Sequence, residues 1–169
     1  MSVDTLRVIH FAHIHSIISC GIIFWGSSPY ANKVFIFQKK IIRIITNTRP
    51  RDSCREVSKN MERMTLYCQY IYSLVLYTVN NKHLFDTNNE IHKYKTRNNK
   101  NLHLPIANLS KFNKVAYISG IKVFNHFPQY IKALTNDQKN FKSTLKRFLY
   151  HHSFYSMNEY YEYKEDRRI

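Results

Sequence analysis

The sequence predicts an all-α protein, a bundle of about five to seven helices. Two observations favour this class. The segment from Lys33 to Ile45 sorts into a cationic and an apolar side at helical spacing, and the segment from Thr65 to Val79 is apolar nearly all round. We expect two small lobes joined by a polar Asn/Lys-rich connection. The predicted domains are a helical lobe at 1–80, the connection at 81–101, a C-terminal helical lobe at 102–155 and a frayed tail at 156–169.

The first helix is expected over about residues 3–24, where Gly26–Pro29 ends it by turn chemistry. A membrane span or signal peptide is the alternative for residues 8–25. That run is interrupted by three histidines and lacks the roughly 18 consecutive apolar residues that a bilayer-spanning helix needs. A buried core helix is the better interpretation, and no stable membrane insertion is expected.

The second helix has two sides. Its cations fall within an arc of about 120° when residues are placed at 100° intervals. The apolar residues of this segment are expected on the opposite, buried side. A strand is the alternative for Ile41–Thr46, since β-branched runs favour pleated surfaces, but the sorting of the faces favours a helix. The cations are Lys33, Lys39, Lys40 and Arg43, and the apolar residues are Val34, Phe35, Phe37, Ile41, Ile42, Ile44 and Ile45.

Two further helices follow before the connection. A short one is expected to start after Asp52 as N-cap, with Glu56 in its first turn. The apolar segment from Thr65 to Val79 predicts a central helix. From Asn80 to Asn101 the chain is rich in Asn and Lys with almost no apolar anchors, which is typical of a functional or mobile connection.

The C-terminal lobe is expected to contain a helix at about Lys111–Phe127, closed by Pro128. The spacing of Thr135–Gln138 is that of a capping box, which predicts the start of the last clear helix. Its cations lie largely outside its apolar stripe and form a second basic surface. They are Lys139, Lys142, Lys146 and Arg147.

The charge balance predicts a polyanionic partner. Lys and Arg number 26 against 11 Asp and Glu, a formal net charge of +15 in 169 residues. Such a field concentrates polyanions, and phosphate neutralisation releases counterions, so nucleic acid is the default partner and an anionic membrane the rival. A hydrophobic content of 44% is sufficient for a packed core.

The sequence predicts no catalytic residue, no metal site and no cofactor. The aspartates are scattered singly, whereas divalent-metal catalysis needs gathered carboxylates. His10 and His13 have a spacing that suits zinc ligands, and Cys54 beside Arg55 is a candidate nucleophile, but ordinary structural roles are the simpler interpretation. The 3 dispersed cysteines favour a reducing compartment, so the protein is expected in the nucleus or cytoplasm and not secreted.

Several sequence segments occur in one order over roughly residues 5–155. They are Gly21–Gly26, Gln38–Ile45, Arg51–Arg55, Thr96–Arg97 leading to Leu102, Leu104 and Pro105, Gly120–Pro128, and Phe141–Lys142 with Leu145 and Leu149. Together they resemble the thumb and following region of reverse transcriptases from non-LTR retrotransposons of the jockey type, so the lobe at 1–80 is expected to be thumb-like. Cys20 departs from the family, which commonly has an aromatic residue before the glycine.

The resemblance implies a fragment that does not synthesise DNA by itself. In that family the fingers and the palm, with its magnesium-binding Asp-Asp motif, precede the thumb, and this chain starts too late to contain them. The thumb grips the template-primer backbone. By that likeness Lys39, Lys40 and Arg43 would contact phosphate, and Arg49, Arg51 and Arg55 would extend the track. The implied partners are the RNA or DNA duplex backbone and the missing palm domain.

Three hypotheses follow. The leading one is a C-terminal fragment of a retrotransposon RNA-directed DNA polymerase with sequence-tolerant affinity for nucleic acid. The second is a small basic RNA- or DNA-binding protein used by a host cell. The third is a membrane-surface protein whose two-sided helix lies flat in an anionic interface. It ranks below the others because the apolar side of that helix has helical partners within the chain.

Overall fold

Every regular element in the described part of the chain is helical, which confirms the all-α class. The computed structural model describes residues 5, 8–49, 51–61, 63–92, 98–106, 108 and 115–163. A π-helix at His10–His15 and 3-10 helices at Lys82–Leu84 and Leu134–Asn136 supplement the α-helices. The α-helices are α1 (Ser16–Ser19), α2 (Ile22–Trp25), α3 (Ala31–Thr46), α4 (Cys54–Asn60), α5 (Leu66–Asn80), α6 (Asn88–Ile91), α7 (Ala116–His126), α8 (Gln129–Ala133), α9 (Gln138–His152) and α10 (Met157–Glu162).

The described residues contain more helices than the predicted five to seven, because four of them, α1, α2, α6 and α8, are single short turns. The expected continuous helix over residues 3–24 is wrong at Cys20 and Gly21. Cys20 is extended and Gly21 has φ +60°, a left-handed conformation that glycine adopts at little steric cost. The Trp25 indole N–H then donates to the Cys20 carbonyl at 3.0 Å and closes the break.

Helix α3 confirms the predicted second helix, and the strand alternative at its end is wrong. Its predicted buried side is only partly correct. Phe35, Ile42 and Ile45 are buried, but Phe37 and Ile44 are 60% and 73% exposed. They lie four and eleven residues after Lys33, so helical geometry places them on the same stripe as that lysine. Val34 and Ile41 are half-buried.

A buried amide joins α3 to the start of α5. Gln38 is only 2% exposed, and its Nε2 donates to the Met64 carbonyl at 3.1 Å. The backbone N–H of Leu66, which is the first residue of α5, donates to Gln38 Oε1 at 2.9 Å. A helix leaves its first four N–H groups without intrahelical partners, so Gln38 satisfies one of them. These two hydrogen bonds together fix the rotation of α3 about its own axis.

Helix α4 starts one residue later than predicted. Its N-cap is Ser53, whose Oγ accepts from the Arg55 N–H at 3.2 Å, whereas Asp52 lies in the preceding turn. Glu56 is in the first turn as expected. The central helix is confirmed at Leu66–Asn80.

The chain divides into two compact units. The first comprises Met1–Tyr70 with Lys146–Lys164, and the second comprises Ile71–Leu145 with Glu165–Ile169. The boundaries fall within α5 and α9. The predicted division into lobes at 1–80 and 102–155 stays a prediction.

In the first unit, the C-terminal part of α9 and the segment after it are bonded to the start of α5. Thr65 Oγ1 donates to the Phe154 carbonyl at 2.6 Å, and Cys68 Sγ donates to the Leu149 carbonyl at 3.5 Å. Burial raises the pKa of Cys68 to about 12, so this thiol is a core group. The expected frayed tail is wrong at Met157–Glu162, which is helical with Tyr160 buried. Residues 164–169 lie outside the described part.

In the second unit, the predicted connection contains a buried anchor. Phe85 is buried and stacks on Tyr117 with ring centroids 4.7 Å apart. Thr87 forms an antiparallel bridge with Leu102, and the Asn125 amide bonds both backbone groups of Leu102 at 2.9 and 2.8 Å. The connection is therefore partly built into this unit, contrary to the expectation of almost no apolar anchors.

Two expectations for the second unit need adjustment. The helix expected at Lys111–Phe127 is α7, which begins at Ala116, and residues 109–114 lie outside the described part. The capping box at Thr135–Gln138 is wrong, because Asp137 takes this role. Its Oδ1 accepts from the Asn140 N–H at 3.2 Å.

Replacing Gln38 with Met should lower the free energy of unfolding by about 2–6 kcal/mol, because two buried backbone groups then lose their partner at about 1–3 kcal/mol each. Urea unfolding followed by circular dichroism measures the loss. Gln138→Met, at an exposed position, is the control and should change little. A cost below about 1 kcal/mol for Gln38→Met would show that water replaces the amide.

His152 should make stability depend on pH. It lies among the rings of Phe148, Phe154 and Tyr163, with centroids 4.5, 5.4 and 4.5 Å away. Burial lowers the pKa of His152 to about 4 from 6.5, and the charges of His151 and Lys59 add to this effect. The unfolded chain therefore binds more protons in this window, so stability falls as the pH falls from 6.5 to 4.

Urea unfolding at a series of pH values tests this expectation. His152→Gln should flatten the pH dependence between 6.5 and 4 relative to the wild-type chain. His151→Gln, at an exposed imidazole, should leave most of the slope in place. An unchanged slope in His152→Gln would rule out this histidine as its source.

Candidate nucleic-acid interface

The seven cations that the sequence assigns to phosphate contact all lie in the first unit, and they fall into two groups. Four are exposed on α3 and on the turn that follows it: Lys33, Lys40, Arg49 and Arg51. Three are partly buried and contact other groups of the same unit: Lys39, Arg43 and Arg55. Only the first group is fully available to a partner in solution.

The exposed group has few internal partners. The Lys33 ammonium lies 5.1 Å from the centre of the Tyr30 ring. Among the described residues, no side-chain hydrogen bond or ion pair holds Lys40, Arg49 or Arg51. These three cations are hydrated charges that can be transferred to phosphate without breaking an internal bond.

Two of the partly buried cations surround one aromatic ring. The Lys39 ammonium is 5.4 Å from the centre of the Tyr155 ring and 4.6 Å from that of Phe35. The Arg55 guanidinium is 4.6 Å from the Tyr155 ring centre. Burial raises the pKa of the Tyr155 hydroxyl, so the ring is neutral at physiological pH. Cation–π contact of this kind stabilises the fold and orients both cations.

An acidic residue completes this cluster. Arg55 Nη2 forms an ion pair with Glu159 Oε1 at 2.7 Å, and the other carboxylate oxygen accepts from the Tyr155 N–H at 2.7 Å. Sequence reasoning missed Tyr155 and Glu159 because it expected the tail to fray. A signal was present, since Ser156 and Glu159 have capping-box spacing. The Ser156 Oγ indeed accepts from the Glu159 N–H at 3.1 Å.

Arg43 connects α3 to the turn that carries the exposed arginines. Its Nη2 donates to the Asp52 carbonyl at 3.2 Å, while its buried Nε has no hydrogen-bond partner among the described residues. Within the turn, the Asp52 N–H donates to the Arg49 carbonyl at 3.1 Å. Arg43 is therefore a positioning residue for Arg49 and Arg51.

The exposed stripe of α3 is mixed in character. Lys33, Phe37, Lys40 and Ile44 follow one another at spacings of four, three and four residues, which places them on one face. The alternation of cations with exposed apolar side chains was not expected, because Phe37 and Ile44 were assigned to the buried side. An apolar body beside each cation suits either nucleic-acid sugars and bases or lipid headgroups.

The zinc site and the nucleophilic cysteine that the sequence offers as alternatives can be compared with the described residues. There, no group of three or more His, Cys, Asp or Glu side chains is arranged to hold a metal ion. The His10 side chain lies outside the described part, so the zinc alternative at His10 and His13 stays untested. Cys54 is 2% exposed, with its Sγ 3.9 Å from the Lys39 carbonyl, which indicates a core position.

In the described part of the chain, every helix is too short or too polar to cross a bilayer. Comparison with protein-family models, curated proteins and solved structures finds no match to this chain. The resemblance to non-LTR retrotransposon reverse transcriptases therefore stays a prediction from the sequence.

Proposed function

We propose that this chain binds the phosphate backbone of RNA or DNA duplexes with little sequence preference. The observation that carries the proposal is the exposed set of Lys40, Arg49 and Arg51, which have no acidic partner among the described residues. The formal net charge of +15 adds a long-range field that attracts polyanions.

The binding mode follows from where the cations lie. Lys33 and Lys40 are seven residues apart, which is about 10 Å along a helix axis. That length corresponds to about three phosphates of one strand, at 3.4 Å of axial rise each. Arg49 and Arg51 extend the contact beyond the C-terminal end of α3. Lysine and arginine on a stiff support contact phosphate oxygens whatever the base sequence, so the contacts position a duplex and do not read it.

The origin that we propose is the thumb and following helical region of a retrotransposon RNA-directed DNA polymerase. On this proposal the chain does not polymerise by itself, and its partners are a template-primer duplex and the palm domain of the same polymerase. With such partners, the proposed site of action is intracellular, in the nucleus or the cytoplasm. A host-used RNA- or DNA-binding protein is the alternative origin, and it predicts the same backbone contacts without a palm partner.

One observation favours a second candidate, binding to the surface of an anionic membrane. Phe37 lies between Lys33 and Lys40 on α3, and Ile44 lies one turn beyond Lys40. Both apolar side chains are exposed, so this stripe has both charges for headgroups and apolar groups for the acyl boundary. Duplex binding is the better supported of the two, because Arg49 and Arg51 supply further cations, and in the described part of that turn no large exposed apolar side chain adjoins them.

Replacing Lys40, Arg49 and Arg51 with Gln should weaken duplex binding and its salt dependence together. Each phosphate contact contributes about 0.9 to the slope of log K against log salt, so the slope should become shallower by about 2.7. Fluorescence anisotropy with a labelled mixed-sequence duplex, measured from low to physiological salt, gives both quantities.

The matched control replaces Lys139, Lys142 and Arg147 of α9 with Gln, which removes the same charge. An equal loss in both variants would show that net charge alone binds the duplex and would contradict the assigned face. Flotation with phosphatidylserine vesicles tests the second candidate, using Phe37→Ser with Ile44→Ser. Loss of flotation with unchanged duplex affinity would show that the stripe serves a membrane.

A further inference from the structure

The second unit contains a cavity that the proposed duplex contacts do not use. Its volume is about 460 Å³, within the range of 300–1,000 Å³ that is typical of small-molecule sites. Three lysines and one glutamate are among the residues that line it: Lys82, Lys100, Lys132 and Glu90. Apolar side chains form other parts of the wall, among them Phe85 and Phe124.

Lys132 is the best-fixed cation of this cavity. Its ammonium donates to the Asn125 carbonyl at 2.6 Å and to Asn101 Oδ1 at 3.2 Å, and it lies 6.0 Å from the Phe124 ring centre. Burial lowers the pKa of Lys132, so an anion in the cavity would favour its charged form. An ammonium group has three N–H donors, which leaves one for a ligand.

Lys82 is held in the same manner. Its ammonium donates to Asn136 Oδ1 at 3.3 Å and to the Thr135 carbonyl at 3.5 Å, and Thr135 also lines the cavity. Lys100 is exposed at the rim. A ligand in the cavity would therefore lie beside one partly buried and two exposed lysines.

The carboxylate in the wall is already bonded. Glu90 Oε2 accepts from the Thr87 N–H at 2.5 Å and from the Thr87 Oγ1 at 2.8 Å, and these bonds lower the pKa of Glu90. It stays ionised at neutral pH and caps α6. One carboxylate against three ammonium groups leaves an excess of two positive charges.

We propose that this cavity binds a small phosphate monoester with an aromatic or apolar body. A phosphate monoester carries about −1.5 to −2 charges at pH 7, which matches the excess positive charge of the wall. Its apolar body would lie against Phe85, Phe124 and Leu102, and Thr135 would lie beside its polar edges. The residues that line the cavity belong to the second unit, whereas the residues proposed for duplex contact all belong to the first.

Isothermal titration calorimetry with adenosine 5′-monophosphate tests this site, with adenosine and inorganic phosphate as comparison ligands. The monophosphate should bind with one-to-one stoichiometry and more tightly than either comparison ligand. Lys82→Gln and Lys100→Gln should each weaken it about tenfold, the loss expected for one charge-assisted hydrogen bond. Both lysines are exposed, so these variants should stay folded.

Lys139→Gln is the control, since Lys139 is exposed and does not line the cavity. It should leave the affinity unchanged. The triple variant Lys40→Gln, Arg49→Gln, Arg51→Gln should also bind the monophosphate normally, whether or not it loses duplex binding, which separates this site from the proposed function. Equal affinity for adenosine, equal weakening by Lys139→Gln, or no binding at all would each overturn the proposal.

Discussion

The side-chain amide of Gln38 is the interaction on which the cationic surface depends. It bonds two backbone groups at the start of α5, and it lies on the buried side of the helix that carries the lysines. A side chain that bonds in two directions tolerates little rotation or sliding of α3. The apolar contacts of Phe35, Ile42 and Ile45 supply burial, but apolar contact is non-directional. The amide therefore sets which residues of α3 face the solvent.

Some cations of the first unit hold parts of the fold together, and others are available to a partner. Arg55 and Lys39 lie against Tyr155, and Arg55 is paired with Glu159. Withdrawing them to meet phosphate would cost those contacts. Lys40, by contrast, is exposed, as are the two arginines of the turn that Arg43 bonds. A sequence-tolerant binder needs only such accessible charges on a fixed support, because phosphates lie at regular intervals on any duplex.

Helical periodicity predicted α3 and α5 well, since each has enough residues for its buried face to repeat. It did not predict the break at Gly21, because the left-handed φ of one glycine leaves no periodic signal. Phe37 and Ile44 were placed on the wrong side because an apolar residue was taken to be a buried one. The partners Glu159 and Tyr155 lie about a hundred residues from Arg55 in sequence. No local sequence pattern could therefore predict that they contact it. The same holds for the cavity, whose lysines come from separate elements of the second unit.

The most direct test of the cationic surface is to identify which backbone amides of the protein respond to a bound duplex. Proton–nitrogen NMR correlation spectra, recorded during titration with a mixed-sequence duplex at low salt, report each amide separately. The largest shift changes are expected from Lys33 to Arg55, and the amides of α7 are expected to change little. Shift changes concentrated in the second unit, with the amides of α3 and the following turn unchanged, would contradict this expectation.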